Sequence, residues 1–283
     1  MDNMRGVHVL AIFRQWYCRL LIPRLEDVAR RVLPDEQQGF RPEGRIYASF
    51  LSLYSLLENA RLRKERLYIC FIDTQKAFPS VRRDLLLQQL AAAGADDDLL
   101  RALHVLYSDT RACIRSADGY GSIFDIFLGT REGGVESPIL YSLFVFDLVA
   151  KLSTVELDSS PLLLGDSEIR LLQFADDLAL IARSAEDLEL LLSRFEKYSD
   201  ESHQITSIKK TEAMIVSFDG DKLKFHENAM QEHFHQTVVS WYGHVEHIRS
   251  KALDRSHLPT QFVYKNSWIN FCDFFLYLGV YFH

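Results

Sequence analysis

Two aspartates, Asp176 and Asp177, stand side by side between apolar runs in "LLQFADDLALIA", residues 171–182. A third, Asp73, ends a separate apolar run, "LYICFID", residues 67–73. A strand–turn–strand reading of the first stretch puts the pair at a hairpin tip. Neighbours along a strand point to opposite faces, so only one of the pair faces a given site directly. If the Asp73 strand lies beside that hairpin, three carboxylates converge. Such a cluster repels itself and raises its own pKa values. A bound divalent cation removes the conflict, and hard oxygen ligands favour Mg²⁺ or Mn²⁺. Two such ions about 3.5–4 Å apart can activate a hydroxyl and stabilise a leaving oxygen in phosphoryl transfer. The plainer alternative is that paired aspartates in a hairpin are turn residues; the rest of the chain must decide.

The elements that would position these groups can be read from spacing. Residues 11–33 read as a helix, with Pro23 expected to kink or break it. A polar loop with two glycines and a proline, "EQQGFRPEGR" (36–45), follows. Ile46, Phe50, Leu53, Tyr54 and Leu57 mark a helix over 46–64. Residues 67–73 read as a buried strand. Two helices, 82–93 and 97–107, are split by Gly94, and "RACIRS" and "SIFDIFL" form a hairpin around "ADGYG". Ser137 and Pro138 suit the cap and first residue of a helix over 138–152. Strands at 168–174 and 178–183 flank the aspartates, and Ser184 with Asp187 starts another helix as a capping box. "KTEAMIVSF" (210–218) is a further strand, and "FFLYLGVYFH" closes the chain as a strand or tight hairpin. The order β-α-β-β-α-β predicts an α+β core of split βαβ type.

Composition narrows the field. The chain has 283 residues, a net charge of −7 and 48% hydrophobic residues. That is an ordinary globular composition and argues against a non-specific nucleic-acid coat, which would be basic. It leaves room for an enzyme whose basic residues line one groove. Cys18, Cys70, Cys113 and Cys272 are scattered without a CxxC pair, which reads as a reducing compartment without a disulfide framework or zinc finger. No run of 18 apolar residues predicts a membrane span, and the N-terminal sequence lacks a signal-peptide pattern.

"FADDLALIA" together with "YICFIDTQKAFPSV" resembles the palm of reverse transcriptases, most closely those of non-LTR (LINE-like) retrotransposons. Further elements follow in the family's order. "MRGVHVL" is similar to its RP/RG-I-x-L element in the fingers, and "EQQGFRPEG" to its Q-x-G-F-R-P-G loop. "GTREGGVESPILYSLFVFDL" is similar to G-V-R-Q-G-x-x-L-S-P-x-L-F. "KKTEAMIVSF" resembles the K-T element, and "FFLYLGVYF" the F-K-Y-L-G hairpin. The resemblance implies a right-hand polymerase palm with a split βαβ, ferredoxin-like core, partial helical fingers and no thumb. Residues 1–66 would be the partial fingers and 67–283 the palm, with a His-rich insertion at 219–260.

The same resemblance implies site roles. Asp73 and Asp176 would be the principal ligands of two Mg²⁺ (or Mn²⁺) ions, with Asp177 beside them. Lys210 would stand near the leaving pyrophosphate, and Lys209 would be solvated. Phe78 would lie under the incoming sugar and disfavour a 2′-hydroxyl; plain core packing is its alternative. Arg5 would contact the triphosphate and Arg41 the template or nucleotide, unless either is simply a solvated charge. Gly133 and Gly134 would let backbone approach template and nucleotide, unless they merely form a turn. The implied partners are an RNA or DNA template, a primer strand and a dNTP, with no membrane. The implied compartment, nucleus or cytoplasm of a eukaryote, rests on the resemblance alone.

Several positions depart from the family pattern. Pro79 stands where an Asp is usual, Thr74 for an aromatic, Glu132 for Gln and Glu136 for Leu. At roughly 5 Å and an effective dielectric near 20, Glu132 and a phosphate charge would repel by about 3 kcal/mol. Glu132 is therefore expected to pair with Arg131 or to point away. If Arg5 sits on the second strand of the fingers hairpin, the first strand and its lysine are expected to be missing; with neither thumb nor endonuclease segment expected, weak hold on primer–template follows. An inactive nucleic-acid-binding remnant, and a scaffold keeping only the core, are the competing readings. His226, His233, His235, His244 and His247 lack a Cys or acidic framework for zinc and read as an insertion.

Overall fold

The computed structural model describes residues 8–41, 46–117, 119–216, 262–265, 267–271, 275–277 and 280–282. Arg5 and the His-rich insertion lie outside them. Among the described residues the helices are α1 (Ile12–Val32), α2 (Ile46–Arg63), α3 (Ala77–Ser80), α4 (Arg83–Ala92), α5 (Asp97–Ser108), α6 (Ser137–Phe144), α7 (Leu148–Ser153) and α8 (Ala185–Ser202). The main sheet contains β1 (Leu67–Gln75), β2 (Leu171–Phe174), β3 (Asp177–Ala182), β4 (Glu212–Val216), β5 (Phe262–Tyr264) and β6 (Ser267–Phe271). No described helix is long and apolar enough to cross a membrane.

The chain folds as two compact units. The first takes its described residues from 1–44, 75–146 and 199–205, the second from 45–74, 147–198 and 206–283. The second unit includes α2, which packs on the sheet.

In the second unit the strands run β5-β6-β4-β1-β3-β2. Among these six strands only the β4–β6 pairing is parallel, and β1 pairs antiparallel with both β3 and β4. The run "LYICFI" is apolar throughout because both faces of β1 are covered. Leu67, Ile69 and Phe71 meet Leu53, Leu56, Leu57 and Ala60 of α2 on one face. Tyr68, Cys70 and Ile72 meet Leu148 and Leu152 of α7 and Leu188, Leu191, Leu192 and Phe195 of α8 on the other. A strand buried on both sides loses the polar alternation of a half-exposed one. The α8 start matches its sequence signal, since the Asp187 amide donates to Ser184 Oγ at 3.1 Å. The Asp187 carboxylate departs from the capping box and accepts from the Asp158 and Ser159 amides instead, at 2.9 and 3.2 Å.

The first unit is helical with a small hairpin. Leu21, Leu25, Val28 and Ala29 of α1 share a core with Leu86 and Leu90 of α4, Leu99 and Leu103 of α5, and Leu140, Leu143 and Phe144 of α6. The α1 helix runs through Pro23 without a break. The predicted helix over 138–152 is two helices, with Val145, Phe146 and Asp147 non-helical between them. There the chain passes from the first unit to the second, and Asp147 is held by the Tyr198 hydroxyl at 3.2 Å and by Lys151 Nζ at 3.2 Å. Ser137 is the first helical residue rather than the cap, and its hydroxyl donates to the Arg131 carbonyl at 2.8 Å. The expected hairpin forms as two short ribbons, Arg111–Ala112 with Phe124–Asp125 and Arg115–Ser116 with Gly119–Tyr120. At the C-terminal end Phe275–Tyr277 pairs antiparallel with Val280–Phe282, the tight hairpin.

Candidate active site

The second unit brings the three aspartates to one end of its sheet. Asp73 on β1 is the register partner of Asp177 on β3, and Phe174 on β2 also faces Asp177. Directly opposed residues of antiparallel neighbours project to the same face with Cα atoms about 4.5–5.5 Å apart. Asp73 and Asp177 therefore share the α2 face, continuing the line of Phe71 and Ala179. Asp176 sits in the two-residue turn with Ala175, whose φ of 59° is left-handed. That tight turn holds Asp176 against the sheet end.

The crowding has an electrostatic signature. Burial of its carboxylate, then the charges of Asp176 and Asp73, push Asp177 up to about 6. Part of the Asp177 surface stays open to solvent. As placed, the trio is not a closed cage: among the described residues no three His, Cys, Asp or Glu side chains converge as a ready-made metal site.

Lys210 approaches the same end from the turn before β4. Its Nζ lies 3.6 Å from Asp73 Oδ2, with the lysine side chain 66% and the aspartate 33% exposed. The turn is tied to the strand by main chain, since the Ser207 amide donates to the Asp73 carbonyl at 2.8 Å. Within the turn the Lys210 and Thr211 amides donate to the Ser207 carbonyl at 3.0 and 2.9 Å. Asp73, Asp176, Asp177 and Lys210 all lie in the second unit, and Lys209 is exposed.

The remaining predicted residues belong to the first unit. Phe78 is half-buried, with its ring 6.1 Å from that of Phe40 and 5.4 Å from that of Tyr141. Arg41 Nη1 donates to the Pro34 carbonyl and to Asp35, both at 3.1 Å, so it braces its own loop. Gly133 has a φ of +89° and is exposed, and its carbonyl accepts from Gln15 Nε2 at 3.1 Å. Gly134 is buried, and a Cβ there would stand 2.7 Å from Ser137 Oγ and 2.9 Å from Glu136 Oε2. The expected Glu132–Arg131 pair does not form. Arg131 Nη2 donates to Thr110 Oγ1 at 2.8 Å instead, and its guanidinium lies 5.7 Å from the Tyr107 ring.

Sequence reasoning missed three features here. Glu136 is fully buried and pairs with Arg14 at 3.2 Å. Arg83 clamps the hairpin's return through the carbonyls of Tyr107, Ile126, Leu128 and Gly129, at 2.7–3.2 Å. Gly129, with φ +84°, passes so close to Pro79 that a Cβ would stand 2.7 Å from its Cα. A signal existed for the first: a carboxylate inside an apolar helix start needs a buried partner. Nothing local marked the other two.

The fold is similar to that of the apo telomerase of Candida tropicalis, at a TM-score of 0.53 and 12% identity, over 75% of this chain and 38% of that one. The family described as reverse transcriptase (RNA-dependent DNA polymerase) matches residues 1–255, and the chain belongs to it. It is similar to the Pol polyprotein of the type-1 retrotransposable element R2 of Nasonia vitripennis, 24% identical over 68% of this chain and 18% of that protein. It is also similar to the probable RNA-directed DNA polymerase from transposon BS of Drosophila melanogaster, 29% identical over 65% of this chain and 20% of that protein. The chain thus spans about a fifth of the length of these non-LTR retrotransposon relatives.

Proposed function

We propose that this chain carries out RNA-directed DNA synthesis, transferring a nucleotidyl group from a dNTP to a primer 3′-hydroxyl on an RNA or DNA template. The observation that carries this reading is the register of Asp73 opposite Asp177, with Asp176 in the adjoining turn and Lys210 alongside. Within it, the second unit's sheet is the palm and α1 with its loop part of the fingers.

Asp73, Asp176 and Asp177 would hold two Mg²⁺ or Mn²⁺ ions. The fit rests on two features of the chain. The donors are hard carboxylate oxygens, and the charge crowding that lifts Asp177 is what a cation relieves. Asp73 and Asp177 already face each other across β1 and β3, so a change of rotamer can bring their carboxylates closer. When bound, such ions favour the ionised hydroxyl and stabilise charge on the leaving oxygen. Lys210, whose Nζ lies 3.6 Å from Asp73 Oδ2, stabilises negative charge on the departing pyrophosphate. Phe78 supports the sugar and excludes a 2′-hydroxyl. Gly133 lends backbone without a side chain in the way, and Arg5 and Arg41 steer phosphates. Rate enhancement comes from positioning and electrostatics rather than covalent protein chemistry.

Primer extension on an RNA template with Mg²⁺ or Mn²⁺ tests this. Asp176→Ala is expected to lower incorporation by about a thousandfold or more while leaving the fold intact. Template binding without incorporation in the unsubstituted chain would select the inactive remnant instead.

A further inference from the structure

Glu136 stands where the resemblance leads one to expect leucine, and it is buried completely. Three donors converge on it. Arg14 approaches Oε1 through Nη2 at 3.2 Å and Nη1 at 3.4 Å, and the Tyr107 hydroxyl donates to the same oxygen at 3.0 Å. The Cys18 thiol faces it too, and is pushed up to about 12 by burial and then by the Glu136 charge. Arg14, Arg83 and Arg131 crowd the Tyr107 ring with guanidinium carbons 5.4, 5.1 and 5.7 Å from its centroid.

This network abuts the Gly133–Gly134 turn. Glu136 Oε2 presses against Gly134, where a Cβ would stand 2.9 Å away. Gln15, the neighbour of Arg14 on α1, holds the Gly133 carbonyl at 3.1 Å. The turn closes internally through Gly134 N to the Arg131 carbonyl at 2.9 Å and Ser137 N to the Gly134 carbonyl at 3.1 Å. Glu136 Oε2, Arg14 Nε, Gln15 Oε1 and His8 Nδ1 are buried polar atoms left over at this place. A purely structural contact of leucine type would carry none of this desolvation cost.

We infer that Glu136 is a positioning residue: through its buried pair with Arg14 and its bond from Tyr107, it fixes the Gly133–Gly134 turn in the shape that admits the nucleotide. The inference rests on the polymerase reading for its kinetic consequence but not for its structural one. It distinguishes a device that sets the turn's geometry from one that only fills the core. Glutamine keeps the acceptor for Arg14 and Tyr107, whereas leucine keeps volume and removes both bonds.

The test compares Glu136→Gln, Glu136→Leu and Arg14→Met/Glu136→Leu in the whole chain. Single-nucleotide incorporation and amide hydrogen exchange are both read. Glu136→Leu is expected to raise KM for dNTP about tenfold with kcat within about threefold, and to speed exchange at Gly134 and Ser137 about tenfold. Exchange in Asp177–Ala182 stays unchanged. Glu136→Gln restores both values. The double variant, an apolar replacement of the pair, recovers melting temperature but neither KM nor exchange. Recovery of KM and turn exchange together with stability in the double variant overturns the inference, as does a folded Glu136→Leu with unchanged exchange. Absence of incorporation in every form sinks the polymerase reading alone, because exchange still decides the role of Glu136.

Discussion

At Asp177, burial and the charges of Asp176 and Asp73 hold the carboxyl near 6, well above the ordinary carboxylate range. The folded protein therefore binds this proton more tightly than the unfolded chain. The associated stability is fully present below about pH 4 and is lost as pH rises through about 6. Asp177→Asn is expected to flatten that slope and to stabilise the chain at neutral pH by about 1 kcal/mol, after discount for solvent screening. Mg²⁺ should supply comparable stabilisation to the unsubstituted chain only above that pH, and denaturant titrations at pH 5 and 7.5 with and without Mg²⁺ check both. Glycines offer a second residue-scale test. Gly94 has a φ of +79° and open space around its missing Cβ, so Gly94→Ala costs only backbone strain, about 1 kcal/mol. Gly129 adds the collision with Pro79, and Gly129→Ala is expected to cost about 3 kcal/mol by the same titration. The three aspartates were legible in sequence because each interrupts an apolar run. The Gly129–Pro79 approach was not, since it joins residues distant along the chain and neither alone signals it.

At the scale of elements, most helices and strands followed from periodicity, because apolar spacing and glycine breaks act locally. Gly94 splits α4 from α5 as expected, with a left-handed φ at the break. The division of the predicted 138–152 helix was not legible. Its sequence is helix-compatible throughout, and the break arises where the chain changes unit and Tyr198 captures Asp147. Arg83 shows the same limit. It opens α4 as an ordinary polar residue, yet one guanidinium satisfies four carbonyls around the hairpin's return. Arg83→Met should loosen that return without melting α4. Amide exchange at Ile126, Gly129 and Thr130, which donate to Thr110, Val81 and Phe78, is expected to accelerate about tenfold. Unchanged exchange there would show that the backbone pairing alone holds the segment.

At the scale of the whole molecule, neither compact unit is a continuous stretch of chain. A fragment of residues 67–283 lacks α2 and uncovers the sheet face formed by Leu67, Ile69, Phe71, Ala179 and Ile181. It is expected to bind a hydrophobic dye and aggregate, whereas a fragment beginning at residue 45 keeps that face covered; light scattering of the two compares them. The chain first leaves the second unit after Thr74, and its last return, following an earlier stay over Asp147–Tyr198, begins at Thr206. The bond from the Ser207 amide to the Asp73 carbonyl thus joins departure to return, like a stitch across the neck of a bag. Because it is sewn in main chain, mutational drift at position 207 leaves it closed for every residue except proline. Only proline there, or a shift in the length of the returning turn, would part the acidic strand from the lysine that answers it.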